Sequence, residues 1–199
     1  MMEERGLSMA YSTIMRWIHQ YGQELNKRIK RHLKSTNDSW RVEESYIKIK
    51  DQWMYLYRAV DSKGKTIDFY LSESRYKQAA KRFFKKILFF SHASKPQVIT
   101  VEKNPDYPIS IQELKEEKRI PKGVQLRQVK YLNNIIEQDH RFIKERSRPL
   151  LGLKSLRTAK RIIAGIEAMH MINKGQTLQG EKSVQNQKEF IHHLFGLVT

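Results

Sequence analysis

The chain is 199 residues long, 39% hydrophobic and 10% aromatic, which supports one packed domain with a small appendage and excludes a disordered polyelectrolyte. Its 38 Lys and Arg against 21 Asp and Glu give a formal charge of +17, so the expected partner is a polyanion, nucleic acid before an anionic membrane surface. Cysteine is absent, excluding disulfides, thiolate nucleophiles and Cys-type zinc sites, and no apolar run approaches the roughly 20 residues that cross a bilayer.

Residues 1–34 read as helical and basic. Gly6-Leu7-Ser8-Met9 suits a turn. Beyond it Ile14, Trp17, Ile18 and Tyr21 recur at three- and four-residue spacing, predicting one buried helical face that Ser8 or Ser12 would cap. The run Lys-Arg-Ile-Lys-Arg-His-Leu-Lys at 27–34 suits phosphate contact or a solvated helix face equally well. It leads into the polar linker Ser35-Thr36-Asn37-Asp38.

From Trp40 the texture changes to strands. Residues 41–49 and 52–60 are β-branched and aromatic, Asp61-Ser62-Lys63-Gly64 is a hairpin turn, and 66–71 is a third strand. A basic amphipathic helix follows at 75–90, with Ala79, Ala80, Phe83, Phe84 and Ile87 inward. A strand at 97–101, a helix at 109–118, a strand at 124–129 and a long helix at 133–146 complete the middle. After Pro149 come two helices, 157–173 with Ile162, Ile163, Ile166 and Met169 as an apolar stripe bordered by His170, and 184–197 with Phe190, Ile191, Leu194 and Phe195 on one face. Trp40 and Trp53 read as core. This order predicts an α/β fold.

Three acids stand at marked places in this frame. Glu43 lies inside the strand run Trp-Arg-Val-Glu-Glu-Ser-Tyr-Ile-Lys-Ile at 40–49. Glu102 ends the apolar strand Val-Ile-Thr-Val-Glu before an Asn-Pro turn. Glu137 opens a helix within Lys-Tyr-Leu-Asn-Asn-Ile-Ile-Glu-Gln-Asp-His-Arg at 130–141, with thirty-four residues between it and Glu102. Glu44 adjoins Glu43, but successive strand residues face opposite sides, so the two are not interchangeable.

These motifs, in this order and spacing, resemble the transposases of insertion sequence family six. The resemblance runs from about Glu3 to Thr199, and it implies a ribonuclease H-like mixed five-stranded sheet flanked by helices. It divides the chain into a partial helix-turn-helix at 1–34, a catalytic core at 38–148 and a C-terminal helical extension at 149–199. The family carries a longer leader, so the N-terminal module reads as truncated, with Met2-Glu3-Glu4-Arg5 as the last turn of a preceding helix. By resemblance Glu43, Glu102 and Glu137 are the catalytic and metal-holding residues for two Mg2+ ions, or Mn2+, in DNA cleavage and strand transfer.

The match departs at two points. The family has Asp, Asp, Glu, and Glu stands here at the first two positions, with Val101 where Thr is usual. One extra methylene displaces a carboxylate by about 1.5 Å, and misplacement of about 1 Å costs on the order of a hundredfold in rate. Impaired activity is therefore expected, and a non-catalytic DNA-binding relic that modulates intact transposase is the alternative. The implied partners are double-stranded DNA, as element ends and target, and further copies of the chain in a dimer or higher oligomer, with no membrane. The location expected is bacterial cytoplasm at the nucleoid. Residues expected on DNA are Tyr11, Ser12, Thr13 and Arg16 of the N-terminal helix, Lys27, Arg28, Lys30 and Arg31 of the basic run, and Lys103, Lys130, Asn134, His140, Arg141 and Lys144 around the acids.

Overall fold

The computed structural model describes residues 11–90, 92–129, 155–179 and 183–197. Five strands form one sheet: β1 Ser39–Ile49, β2 Gln52–Asp61, β3 Thr66–Ser72, β4 Val98–Glu102 and β5 Gln125–Val129, in the order β3-β2-β1-β4-β5. The first three pair antiparallel, whereas β4 and β5 run parallel to β1. The connections dictate this. β1 and β2 join through Lys50 and Asp51, both at positive φ (47° and 63°), the conformation a two-residue hairpin turn requires.

The second hairpin turn is organised by Asp61. Its buried carboxylate accepts backbone N–H bonds from Asn37 on one oxygen and from Lys63 and Lys65 on the other, all at 2.9 Å. Gly64, at φ 78°, supplies the left-handed residue. Parallel strands cannot be joined so tightly, and each crossover carries a helix. α2 (Lys77–Leu88) links β3 to β4, and α3 (Asp106–Glu116) links β4 to β5.

Two faces of the sheet are buried in different ways. Trp40, Val42, Tyr57, Ile99 and Val101 pack under α2 and α3 against Phe83, Phe84, Tyr107 and Ile111. On the other face Ile47, Ile49, Leu56, Phe69 and Leu71 meet Ala159, Ile162 and Ile163 of α4 (Leu156–Asn173). Outside α4 lies a third layer, where α1 (Tyr11–Ile29) and α5 (Val184–Phe195) enclose Leu25, Ile29, Met171, Ile172, Phe190 and Leu194. α1, the described helix of the segment expected to bind DNA, packs onto α4.

Three expectations are corrected here. The buried side of α1 holds Gly22, Leu25, Asn26 and Ile29, while Trp17 and Tyr21 are 44% and 48% exposed. The reason is close approach: α1 crosses α4 with Gly22 against Gly165, too near for a large side chain between them. Trp53 is 61% exposed, because it pairs with Lys48 on the sheet face opposite α4, beyond the part that α2 and α3 cover, and there Tyr46 rests edge-on against it. Met169 faces outward on α4, whereas His170 is buried.

Candidate active site

Two of the three acids fall side by side. β1 and β4 are in parallel register up to Val42 opposite Val101. Glu43 and Glu102, each one residue further on, are therefore next neighbours across the ladder, with backbones about 5 Å apart by ordinary strand spacing. Alternation sets their direction. Val42 and Val101 are fully buried beneath α2 and α3, so Glu43 and Glu102 turn to the face that α4 covers further along. Both are half-buried.

β4 ends at Glu102, and the chain turns away at once. Asn104 N–H donates to the Glu102 carbonyl at 2.8 Å, and the Asn104 side-chain oxygen accepts from Asp106 N–H at 2.9 Å. The two carboxylates thus stand where the parallel part of the sheet gives way to loop, on backbones fixed by hydrogen bonding.

On its other side Glu43 faces Arg58 of β2. Arg58 is fully buried and clamps both oxygens of Glu167 in α4, from Nε at 2.5 Å and from Nη2 at 2.9 Å, with Thr66 Oγ1 at 3.2 Å. This two-pronged ion pair bolts α4 to the sheet beside Glu43.

Glu44 serves the opposite face. It receives Arg75 Nε at 2.7 Å and Asn104 Nδ2 at 3.5 Å, beneath the buried hydroxyls of Tyr57 and Tyr107. Burial holds its carboxyl above the ordinary glutamate range, Arg75 pulls it back, and the charge of Glu102 pushes it up again. Burial likewise raises both tyrosines. Glu44 is thereby a strut between β1 and the turn that follows Glu102. Strand alternation alone gives it no such role, although the Asn-Pro dipeptide at 104–105 marks that turn.

Among the described residues no group of three His, Asp or Glu is placed to hold a metal ion. Glu137, Lys130, Asn134, His140, Arg141 and Lys144 lie outside the described residues. The chemistry of the pair that is described fits a divalent ion, since two carboxylates on a stiff parallel ladder are the hard oxygen donors that magnesium and manganese take.

Of the residues expected on DNA, Lys103 is exposed one step past Glu102. Tyr11 and Ser12 open α1, Thr13 is half-buried and Arg16 exposed. Lys27 and Arg31 are exposed, and Arg28 bonds Glu24 at 2.7 Å and the Leu194 carbonyl at 2.6 Å. Lys30 is the least exposed of these four cations. It is turned inward, paired with Asp68 at 3.1 Å and seated over the Phe90 ring at 3.8 Å.

A DDE-domain family model matches residues 37–176. Over 173 residues the chain is 35% identical to the transposase for insertion sequence-like element IS431mec of Staphylococcus aureus, covering 87% of this chain and 75% of that protein. The chain belongs to the DDE transposases of insertion sequence family six. This transposase is also 35% identical over 170 residues to that of element IS257 in transposon Tn4003, again from Staphylococcus aureus, covering 85% of this chain and 73% of that protein. Among solved structures, the dimeric HTLV-2 integrase catalytic core in complex with magnesium superposes with a TM-score of 0.55 at 17% identity, over 75% of this chain and 98% of that one. That likeness is one of fold, and it makes the sheet ribonuclease H-like.

Proposed function

We propose that this transposase cleaves and joins DNA at the ends of an insertion sequence, using Glu43, Glu102 and Glu137 to hold two divalent ions. The observation that carries the reading is the placement of Glu43 and Glu102 as ladder neighbours on one face at the end of β4. Bound there, magnesium or manganese would activate the attacking oxygen and stabilise the leaving one. The protein's own part is to fix the carboxylates on paired strands, with the Arg58–Glu167 pair and the Glu44 strut stiffening either side. Lys103 and the basic residues after Lys130 supply phosphate contacts, which give affinity without sequence choice. Tyr11, Ser12, Thr13 and Arg16 supply the end-proximal contacts, and a second copy of the chain holds the other end.

The extra methylene at both 43 and 102 supports a second reading, a DNA-binding copy that no longer catalyses. One experiment separates the two. Purified protein with Mg2+ or Mn2+ is expected to join element-end oligonucleotides weakly, and Glu43→Asp with Glu102→Asp to raise the yield at least about tenfold, given about a hundredfold cost for misplacement near 1 Å. A double variant that binds the ends yet joins no better than the parent would overturn the catalytic reading.

A further inference from the structure

Away from the acids, an open cleft of about 1170 Å3 runs between α1, the edge strand β3, the end of α2 and the first half of α4. Six cations line it, Lys27, Lys30, Arg31, Lys86, Lys160 and Arg161, against the single carboxylate of Glu24. Glu24 is already engaged by Arg28. Lys30 and Lys86 share the buried Asp68 at 3.1 and 2.8 Å. Lys27 adds to the field of Arg28 on Glu24, and Arg31, Lys160 and Arg161 form no ion pair among the described residues.

The aromatic lining narrows what fits. Lys30 lies over Phe90 at 3.8 Å, Lys86 over Phe69 at 4.8 Å and Lys160 over Tyr70 at 5.9 Å. Those three ring faces hold ammonium groups and only Phe89 of the lining leaves a largely exposed ring, so the cleft offers charge and N–H donors more than the run of open rings of a base-stacking groove. A line of phosphodiesters matches this chemistry. The cleft is also level with the acids. Glu43, Arg58 and Phe69 form one cross-strand row, which places the β3 edge about 10 Å from Glu43 across two strand spacings.

We infer that this cleft is a second DNA site, gripping the backbone of duplex DNA that passes beside the catalytic acids. The inference rests on the transposase reading for the identity of the polyanion. It differs from that reading in location, and it joins Lys27, Lys30 and Arg31 of the basic run to Lys86, Lys160 and Arg161, which the sequence did not single out.

The test compares two charge-matched triple variants of the full chain. Lys27→Ala, Arg31→Ala and Lys160→Ala remove three exposed cleft cations, and Lys63→Ala, Lys95→Ala and Lys122→Ala remove three exposed cations elsewhere. Binding to a random-sequence duplex is read by fluorescence anisotropy from 50 to 300 mM NaCl, after circular dichroism confirms that both variants are folded. The cleft variant is expected to bind at least about tenfold more weakly than the control, with its slope of log affinity against log salt shallower by about 2.7, or about 0.9 for each phosphate no longer neutralised. Equal affinity and slope in the two variants would overturn the inference. End-joining is measured in parallel on the Glu43→Asp, Glu102→Asp background. Joining with no cleft effect removes the cleft and leaves the catalytic reading, whereas a cleft effect without joining does the reverse.

Discussion

Arg58 and Glu167 show how much can depend on one side chain. Both are almost wholly buried, and each compensates the desolvation of the other. Glu167→Ala would leave a guanidinium in a dry environment, and a loss of about 3–5 kcal/mol is expected in urea unfolding. Replacing both partners with apolar residues, Arg58→Met with Glu167→Leu, should recover most of that. A single variant within about 0.5 kcal/mol of the parent would show that water reaches the pair. Glu44 carries a pH signature of opposite origin. Burial raises its carboxyl, so the folded chain binds that proton more tightly than the unfolded chain does. The contribution therefore favours folding below the ordinary glutamate pKa of about 4.3 and is lost as pH rises through the higher folded value. Glu44→Gln removes this titration. Its curve of stability against pH should lack the parent's decline just above that pKa, and an unchanged decline would place its origin elsewhere.

Between elements, the tightest dependence is the crossing of α1 and α4. A Cβ on Gly165 would meet the Gly22 Cα at 3.0 Å, and one on Gly22 would meet the Arg161 carbonyl and the Gly165 Cα at 3.1 Å. These neighbours are backbone and cannot rotate aside. Gly165→Ala is expected to destabilise by about 1–3 kcal/mol despite the better helix propensity of alanine. A stabilised variant would mean that the helices can separate at little cost. This crossing also explains what could be read from the sequence. Strand alternation separates Glu43 from Glu44 because the period is a local property of β1, and the structure keeps Trp40 and Val42 on the face that the pattern assigned. Hydrophobic spacing likewise locates α2 with all five of its expected inward residues. The same spacing set Ile18 inward correctly but misassigned Trp17 and Tyr21, for the partner of α1 is a glycine about 140 positions away and no window around Trp17 contains it. The pairing of Lys30 escaped the pattern for a similar reason, since Asp68 of β3 and Phe90 beyond α2 are distant in sequence. The pairing of Glu43 with Glu102 was signalled only by family resemblance, because strand register is a tertiary fact.

At the scale of the whole molecule, the excess of 17 positive charges sets two opposed responses to salt. Like charges on a small body repel, which raises the free energy of the compact state. Salt shortens the screening length from about 10 Å at 0.1 M to about 3 Å at 1 M, and so relieves that repulsion. It also weakens attractive pairs, chiefly the ladder that joins Lys77, Lys81 and Lys85 of α2 to Glu113 of α3 and Glu117 at its end. Those pairs are substantially solvent-exposed, a class worth about 0–1 kcal/mol each, so relief of the repulsion should win. The melting temperature is therefore expected to rise between 0.05 and 0.5 M NaCl. Over the same range duplex affinity must fall, because the cations that repel one another in the free protein are those that displace counterions from DNA. Calorimetry and anisotropy on one salt series test both arms. If the melting temperature falls together with affinity, the ion-pair ladder between α2 and α3 contributes more to the fold than the excess charge costs it, and bound DNA then relieves little strain.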